Sequence, residues 1–223
     1  MQTTSPNYIL LASLDIARLQ MAEVGREKIS RAIELSKKLR AEINLIDGLK
    51  TFDTVKNFSL DLTKVTVNVE GLNLTGLQAE KILRHELKIQ CELSDAANLL
   101  FLITFADTEE KIFKLISALK KLEKWKGEKV ESFFYPPVKN ISVAKISPRE
   151  TFFSESENIA LEKSVGRICA EEVTFYPPGI PILNLGEIIT PEIIDYIREN
   201  KKIGGRIIGA EDVELNAIKV CKS

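Results

Sequence analysis

Apolar residues recur along this chain with two different periods, and the switch from one to the other marks out its elements. Ile29, Ile33, Ser36, Leu39, Ile43 and Ile46 follow at steps of three and four, one face of a helix, with Arg26, Lys37 and Arg40 falling outside the stripe. Upstream, Ser5-Pro6 predicts a helix start, Ser5 as N-cap and Pro6 in the first helical position, where its missing N–H costs nothing. Gly25 stands between the two patterns as a break or kink, and Gly48 ends the second. Residues 1–50 therefore read as connector helices.

Residues 51–126 read as a compact α+β domain. Val65, Val67 and Val69 alternate with polar residues, the period of a half-buried strand. Thr75-Gly76-Leu77-Gln78 matches a capping box and opens a helix to about Glu86. Lys88–Leu93 and Asn98–Phe105 predict two strands, the second nearly all apolar and so central, joined tightly through Ser94–Ala97. Asp107 with Glu110 predicts a further helix start, with Ile112, Leu115, Ile116, Leu119 and Leu122 inward and Lys120, Lys121 and Lys124 at its negative end. The order β-α-β-β-α is that of a ferredoxin-like half-unit, a small sheet with helices on one side.

Gly127, Pro136-Pro137 and Ser147-Pro148 break the periodicity and predict a linker over residues 127–150. A small α+β domain over 151–223 follows. It has apolar runs at Ile159–Leu161 and Ile168–Phe175, the turn Tyr176-Pro177-Pro178-Gly179-Ile180-Pro181, and a helix from Thr190-Pro191 to about Asn200 closed by Gly204-Gly205. The chain as a whole is of the α+β class.

Composition acts by exclusion. Lys plus Arg number 31 and Asp plus Glu 32, so no overall positive field draws nucleic acid or an anionic membrane. No uncharged apolar run reaches membrane length, and the start lacks the layout of a secretion signal, which predicts a cytoplasmic protein. Cys91, Cys169 and Cys221 are far apart and odd in number, which fits buried thiols better than disulfides or a zinc site. The single histidine, His85, sits at a helix end, and no nucleophile triad, phosphate loop or metal-ligand spacing can be assembled. No catalytic residue is assigned.

Three local features remain. Thr3, Thr4 and Ser5 place hydroxyls beside the free N–H groups of a helix start, either ordinary capping or a phosphate grip. Glu92 and Asp95 lie at a strand end, as solvated hairpin charges or as ligands for a cation. The Tyr176–Pro181 corner with Gly186-Glu187 is architecture or the rim of a site.

In that order, these segments resemble a family. Gln2-Thr3-Thr4-Ser5-Pro6-Asn7-Tyr8 with Ala12-Ser13-Leu14-Asp15-Ile16-Ala17-Arg18 resembles the Q-T-T-S-P-S-Y…A-S-L-D-x-A-R segment of the bacterial Orn/Lys/Arg decarboxylases, fold-type-I enzymes that use pyridoxal phosphate. Gly71–Gly76, Glu92-Leu93-Ser94-Asp95, Ser147-Pro148-Arg149-Glu150 and Tyr176–Pro181 with Gly186–Thr190 resemble later stations. Asn184-Leu185 departs from the family, which has proline directly before Gly-Glu. The family's Ser-x-His-Lys segment, whose lysine holds the cofactor, lies upstream of Q-T-T-S-P and has no counterpart here, since His85 is followed by Glu86.

The resemblance implies the C-terminal portion of a lysine, ornithine or arginine decarboxylase, a lyase of polyamine biosynthesis, inactive without its large domain. It implies that Thr3, Thr4 and Ser5 reach the pyridoxal 5'-phosphate of a neighbouring subunit. It further implies that Glu92, and secondarily Asp95, face the cationic end of a basic amino acid substrate. The partner is then a second copy in a homodimer, or a complementing large-domain chain. A split product, a truncation and an excised piece all remain open, as does a non-catalytic regulatory module that binds an amino acid or polyamine.

Overall fold

The computed structural model describes residues 5–52, 54–127, 142–176 and 179–222. Thr3, Thr4, most of the expected linker and the Pro177-Pro178 step lie outside the described residues. The remainder is mixed helix and sheet, gathered on two separate hydrophobic cores.

The connector is one helix, α1, Tyr8–Ile43, of 36 residues and therefore about 54 Å long. Asn7, not Ser5, is its N-cap: the Asn7 carboxamide oxygen accepts from the N–H groups of Ile9 at 3.0 Å and Leu10 at 3.3 Å. An Asn side chain on extended backbone reaches those donors as well as a serine does, so the helix starts later than the Ser-Pro step predicts. Gly25 neither breaks nor kinks it into two. A glycine costs a helix about 1 kcal/mol without ending it, and Gly25 is buried with Met21 folded against it.

From there on α1 buries Ala32, Leu35, Ser36, Leu39 and Ile43, and its Leu35, Leu39 and Ile43 join the first core, while Ile29 stays 45% exposed. Arg40 corrects the stripe. It is 4% exposed, and its guanidinium donates to the carbonyls of Phe52 at 3.1 Å, Leu62 at 2.7 Å and Lys64 at 2.8 Å. The helix face includes an arginine because the incoming loop presents a fan of carbonyls to it.

The first sheet is antiparallel throughout: β1 (Lys50–Thr51), β2 (Lys64–Asn68), β3 (Leu93–Ser94) and β4 (Asn98–Leu102) in the order β1-β2-β4-β3. Val65, Val67, Leu99 and Phe101 turn to the helix side and join α2 (Gly76–His85) and α3 (Glu109–Lys121) in one core. The strand expected over Lys88–Leu93 shrinks to Leu93–Ser94, because Lys88 takes a left-handed φ of 56° and the chain reaches the sheet late. β4 ends at Leu102 rather than Phe105, since the Asp107 carboxylate accepts from the Thr104 N–H at 2.7 Å and hydroxyl at 2.9 Å and closes a turn. That occupies Asp107, and Thr108 caps α3 in its place.

The last residues of the expected linker are helical: Ser147 and Glu150 form a capping box for α4, Pro148–Phe153. Next come β5 (Ser156–Ala160), β6 (Val173–Tyr176), β7 (Ile180–Leu183), α5 (Pro191–Ile203), β8 (Arg206–Ile208) and β9 (Ala217–Cys221). β5 pairs with β9, and β6 lies between β7 and β8. Thr190 caps α5 and Gly204, at φ 90°, ends it as the sequence predicts. The buried Glu171 carboxylate accepts from the N–H groups of Glu211 at 2.7 Å and Lys219 at 2.8 Å, which fastens the last loop to β9.

Replacing Arg40 with Ala strands three carbonyls in a closed core, with an expected loss of about 2–4 kcal/mol in urea unfolding and a smaller loss for Arg40→Lys. A change below about 0.5 kcal/mol for the alanine variant contradicts this reading of the contact.

Candidate functional site

The β3–β4 hairpin builds the site. Leu93 pairs with Leu100 and Ser94 with Leu99, and Asp95 ties the turn between them. Its carboxylate accepts from the N–H groups of Ala97 at 2.8 Å and Asn98 at 2.7 Å, and from the Asn98 carboxamide at 3.0 and 3.1 Å. The start of α2 rests on this turn. Gly76 donates to the Ala96 carbonyl at 3.1 Å, and a Cβ on Gly76 would overlap the carbonyl oxygens of Asn98 and Asp95. The Thr75 hydroxyl accepts from Gln78 N–H at 3.1 Å while the Gln78 side chain accepts from Thr75 N–H at 2.9 Å. The capping box thus holds the helix start in place.

Glu92 sits just before this hairpin, on the outer edge of the sheet. Its N–H donates to the Leu100 carbonyl at 2.8 Å, which fixes the backbone and leaves the side chain exposed. Among the described residues its carboxylate makes no ion pair or hydrogen bond. It borders two grooves. One, of about 340 Å³, runs past Gln90, Phe101, Asp107 and Lys111. The other, of about 460 Å³, is lined by Glu80, Arg84 and Ser94 on one side and by Tyr176 and Arg206 on the other. Tyr176 and Arg206 face each other because they are register partners in the β6–β8 pair.

Cys91 lies under both grooves. Burial pushes its thiol up to about 11, with the Glu80 carboxylate and then Glu92 adding to the rise, and Arg84 opposing it. Glu80 is ion-paired with Arg84, so it is a compensated carboxylate and Glu92 is an uncompensated one. A carboxylate with no ion pair among the described residues, on a sheet edge beside a groove, can bind a cation.

The sequence candidates thus fare differently in the geometry. Glu92 is placed at a concavity. Asp95 is close to it in sequence, but its oxygens are already occupied by the turn. Ser5 is described and exposed, ahead of α1, whose Ile9 and Leu10 N–H groups are taken by Asn7. Neither groove at Glu92 includes Ser5. Of a hydroxyl grip for a phosphate, the described residues therefore supply one member. His85 is exposed in the last turn of α2, and no cluster of metal-ligating side chains occurs among the described residues. No described helix is long and apolar enough to cross a membrane. Glu80 and Arg84, four residues apart on α2, were readable as a pair from their spacing. Arg206 was not, since it reaches the groove only through the packing of distant segments.

Comparison with known proteins follows the chain from end to end. The family model described as "Orn/Lys/Arg decarboxylase, major domain" matches residues 1–69, and "Orn/Lys/Arg decarboxylase, C-terminal domain" matches residues 131–214. An arginine decarboxylase of Bacillus anthracis is 43% identical over 227 residues, covering 99% of this chain and 46% of the relative. One from Bacillus subtilis is 37% identical with the same coverage. The chain therefore spans about half the length of the curated relatives it matches. The fold resembles the crystal structure of a lysine decarboxylase from Francisella novicida, at TM-score 0.75 and 21% identity, over 99% of this chain and 44% of that one. It also resembles the constitutive lysine decarboxylase of Escherichia coli, at TM-score 0.74 and 19% identity, with the same coverage.

A thiol held near 11 is almost wholly protonated at pH 8, so native Cys91 is expected to react with a thiol reagent far more slowly than in urea. The native rate should climb as pH approaches 11. Prompt native labelling at pH 8, followed by peptide mapping to Cys91, is the contrary result.

Proposed function

Since the chain belongs to the Orn/Lys/Arg decarboxylase family, we propose that it forms the substrate-side wall of a site that decarboxylates a basic amino acid, with Glu92 receiving the substrate's side-chain cation. The observation that carries this reading is the Glu92 carboxylate itself, fixed at its backbone, uncompensated and open to two grooves. At about 4 Å and an intermediate dielectric, such a contact is worth about 4 kcal/mol before desolvation, enough to select a basic amino acid over a neutral one. Asp95 acts on the same end of the substrate chiefly by holding the turn beside Glu92. Pyridoxal phosphate, when bound, supplies the electron sink that carbon dioxide loss requires.

Toward that group this chain offers Thr3, Thr4 and Ser5 as hydroxyl donors to the phosphate. Ser5 stands exposed ahead of α1, whose Ile9 and Leu10 N–H groups Asn7 already takes, so the hydroxyl and not the helix end would meet the phosphate. No lysine of the chain follows a histidine, so the reading assigns the cofactor-holding lysine to a large domain and makes this chain inactive without one. Completion of one subunit's site by another's hydroxyl segment makes a dimer obligatory for activity. A cytoplasmic setting and the supply of amines to polyamine formation belong to the same proposal.

The test pairs the chain with a decarboxylase large domain and follows carbon dioxide release from arginine, lysine and ornithine. Glu92→Gln is expected to weaken use of the preferred basic substrate by about 2–5 kcal/mol, read mainly in KM. An unchanged KM removes Glu92 from the site. Calorimetric binding of arginine or putrescine to the chain alone, with no activity on pairing, would instead favour the non-catalytic binding module.

A further inference from the structure

The groove of about 460 Å³ beside Glu92 draws its walls from the elements around both cores, and those walls carry opposite charges. Arg206 supplies the far one. It follows the Gly204-Gly205 end of α5 and is held in β8 by pairing with Tyr176. Like that of Glu92, its side chain is exposed and makes no ion pair or hydrogen bond among the described residues. The two do not pair with each other either, so the groove keeps an open carboxylate and an open guanidinium apart.

Glu80 and Arg84, on the same groove, satisfy each other. Lys81 adds a point charge on a flexible stem, whereas the planar guanidinium of Arg206 matches a carboxylate with two parallel N–H bonds. A third group points to a ligand. Ser94 is only 6% exposed, lines the groove, and its hydroxyl makes no hydrogen bond among the described residues. A hydroxyl so enclosed costs free energy until something bonds to it, and it can donate to a carboxylate or accept from an ammonium. The volume falls in the range of small-molecule sites, about 300–1,000 Å³.

We propose that this groove recognises an intact basic amino acid at both ends, its carboxylate on Arg206 and its side-chain cation on Glu92, with the Ser94 hydroxyl as a further contact. For the cationic end the proposal rests on the Glu92 reading above; Arg206 and Ser94 extend it. A ligand without the carboxylate satisfies one wall only. The amine left after carbon dioxide loss brings positive charge to both walls, so it is the disfavoured ligand. Arg206 holds the very group that leaves. Its contribution is therefore to binding of the amino acid and release of the amine, not to bond breaking.

The full chain is titrated by calorimetry with arginine and lysine, with the matching amines agmatine and cadaverine, and with norleucine. Arginine or lysine is expected to bind at least about tenfold more tightly than its own amine and than norleucine. Arg206→Gln should remove the preference over the amine, Ser94→Ala should weaken binding of the amino acid, and Lys81→Gln should change neither. Arg206 is exposed, so its variant should keep the wild-type unfolding midpoint. An amine bound as tightly as its amino acid overturns the proposal, as does no binding of either amino acid by the folded chain. A preference that survives Arg206→Gln, or that is lost with Lys81→Gln instead, also overturns it. The Glu92 reading falls separately, through an unchanged KM for Glu92→Gln in the paired enzyme, and that result leaves the preference set by Arg206 standing.

Discussion

Asp95 spends its carboxylate on the turn between β3 and β4, and the geometry of the candidate site follows from that. One carboxylate taking two backbone N–H groups and a carboxamide is a strong local lock, each charge-assisted bond contributing about 1.5–3 kcal/mol. The locked turn gives α2 a surface to start on, and Gly76 has no side chain because the two backbones meet there. It also sets where Leu100 offers its carbonyl to Glu92. Two acidic residues three positions apart therefore differ in their state: Asp95 shapes the edge, and the Glu92 carboxylate has no partner among the described residues.

A similar contrast runs through α1. Its second half is held by contacts that tolerate little change, the Arg40 guanidinium spanning Phe52, Leu62 and Lys64 and the apolar face meeting β2 and α3. Its first half is exposed from Tyr8 to Val24.

Much of the fold was legible in the sequence because local signals and burial agree there. The alternation of Val65, Val67 and Val69, the Thr75–Gln78 capping box, the inner face of α3 and the Thr190-to-Gly204 limits of α5 all appear where the pattern puts them. The departures share a cause, competition between equally good local solutions. Asn7 outcompetes Ser5, Thr108 replaces Asp107 once Asp107 closes a turn, and Lys88 adopts a left-handed conformation that no propensity announces. Arg40 was misread because periodicity treats every arginine as surface, and only the carbonyls of a distant loop make its burial favourable. Glu92 and Asp95 stand out in the sequence only through the family resemblance; that Asp95 is engaged and Glu92 open is visible only in three dimensions.

The most direct test of this account is the side-chain carbon signal of Glu92, followed by NMR in the chain assembled with a large domain. Arginine or lysine should move that signal, and norleucine, which has the chain length without the cation, should leave it in place. A Glu92 signal that ignores the basic amino acids, or answers equally to norleucine, contradicts the assignment of this carboxylate to substrate recognition.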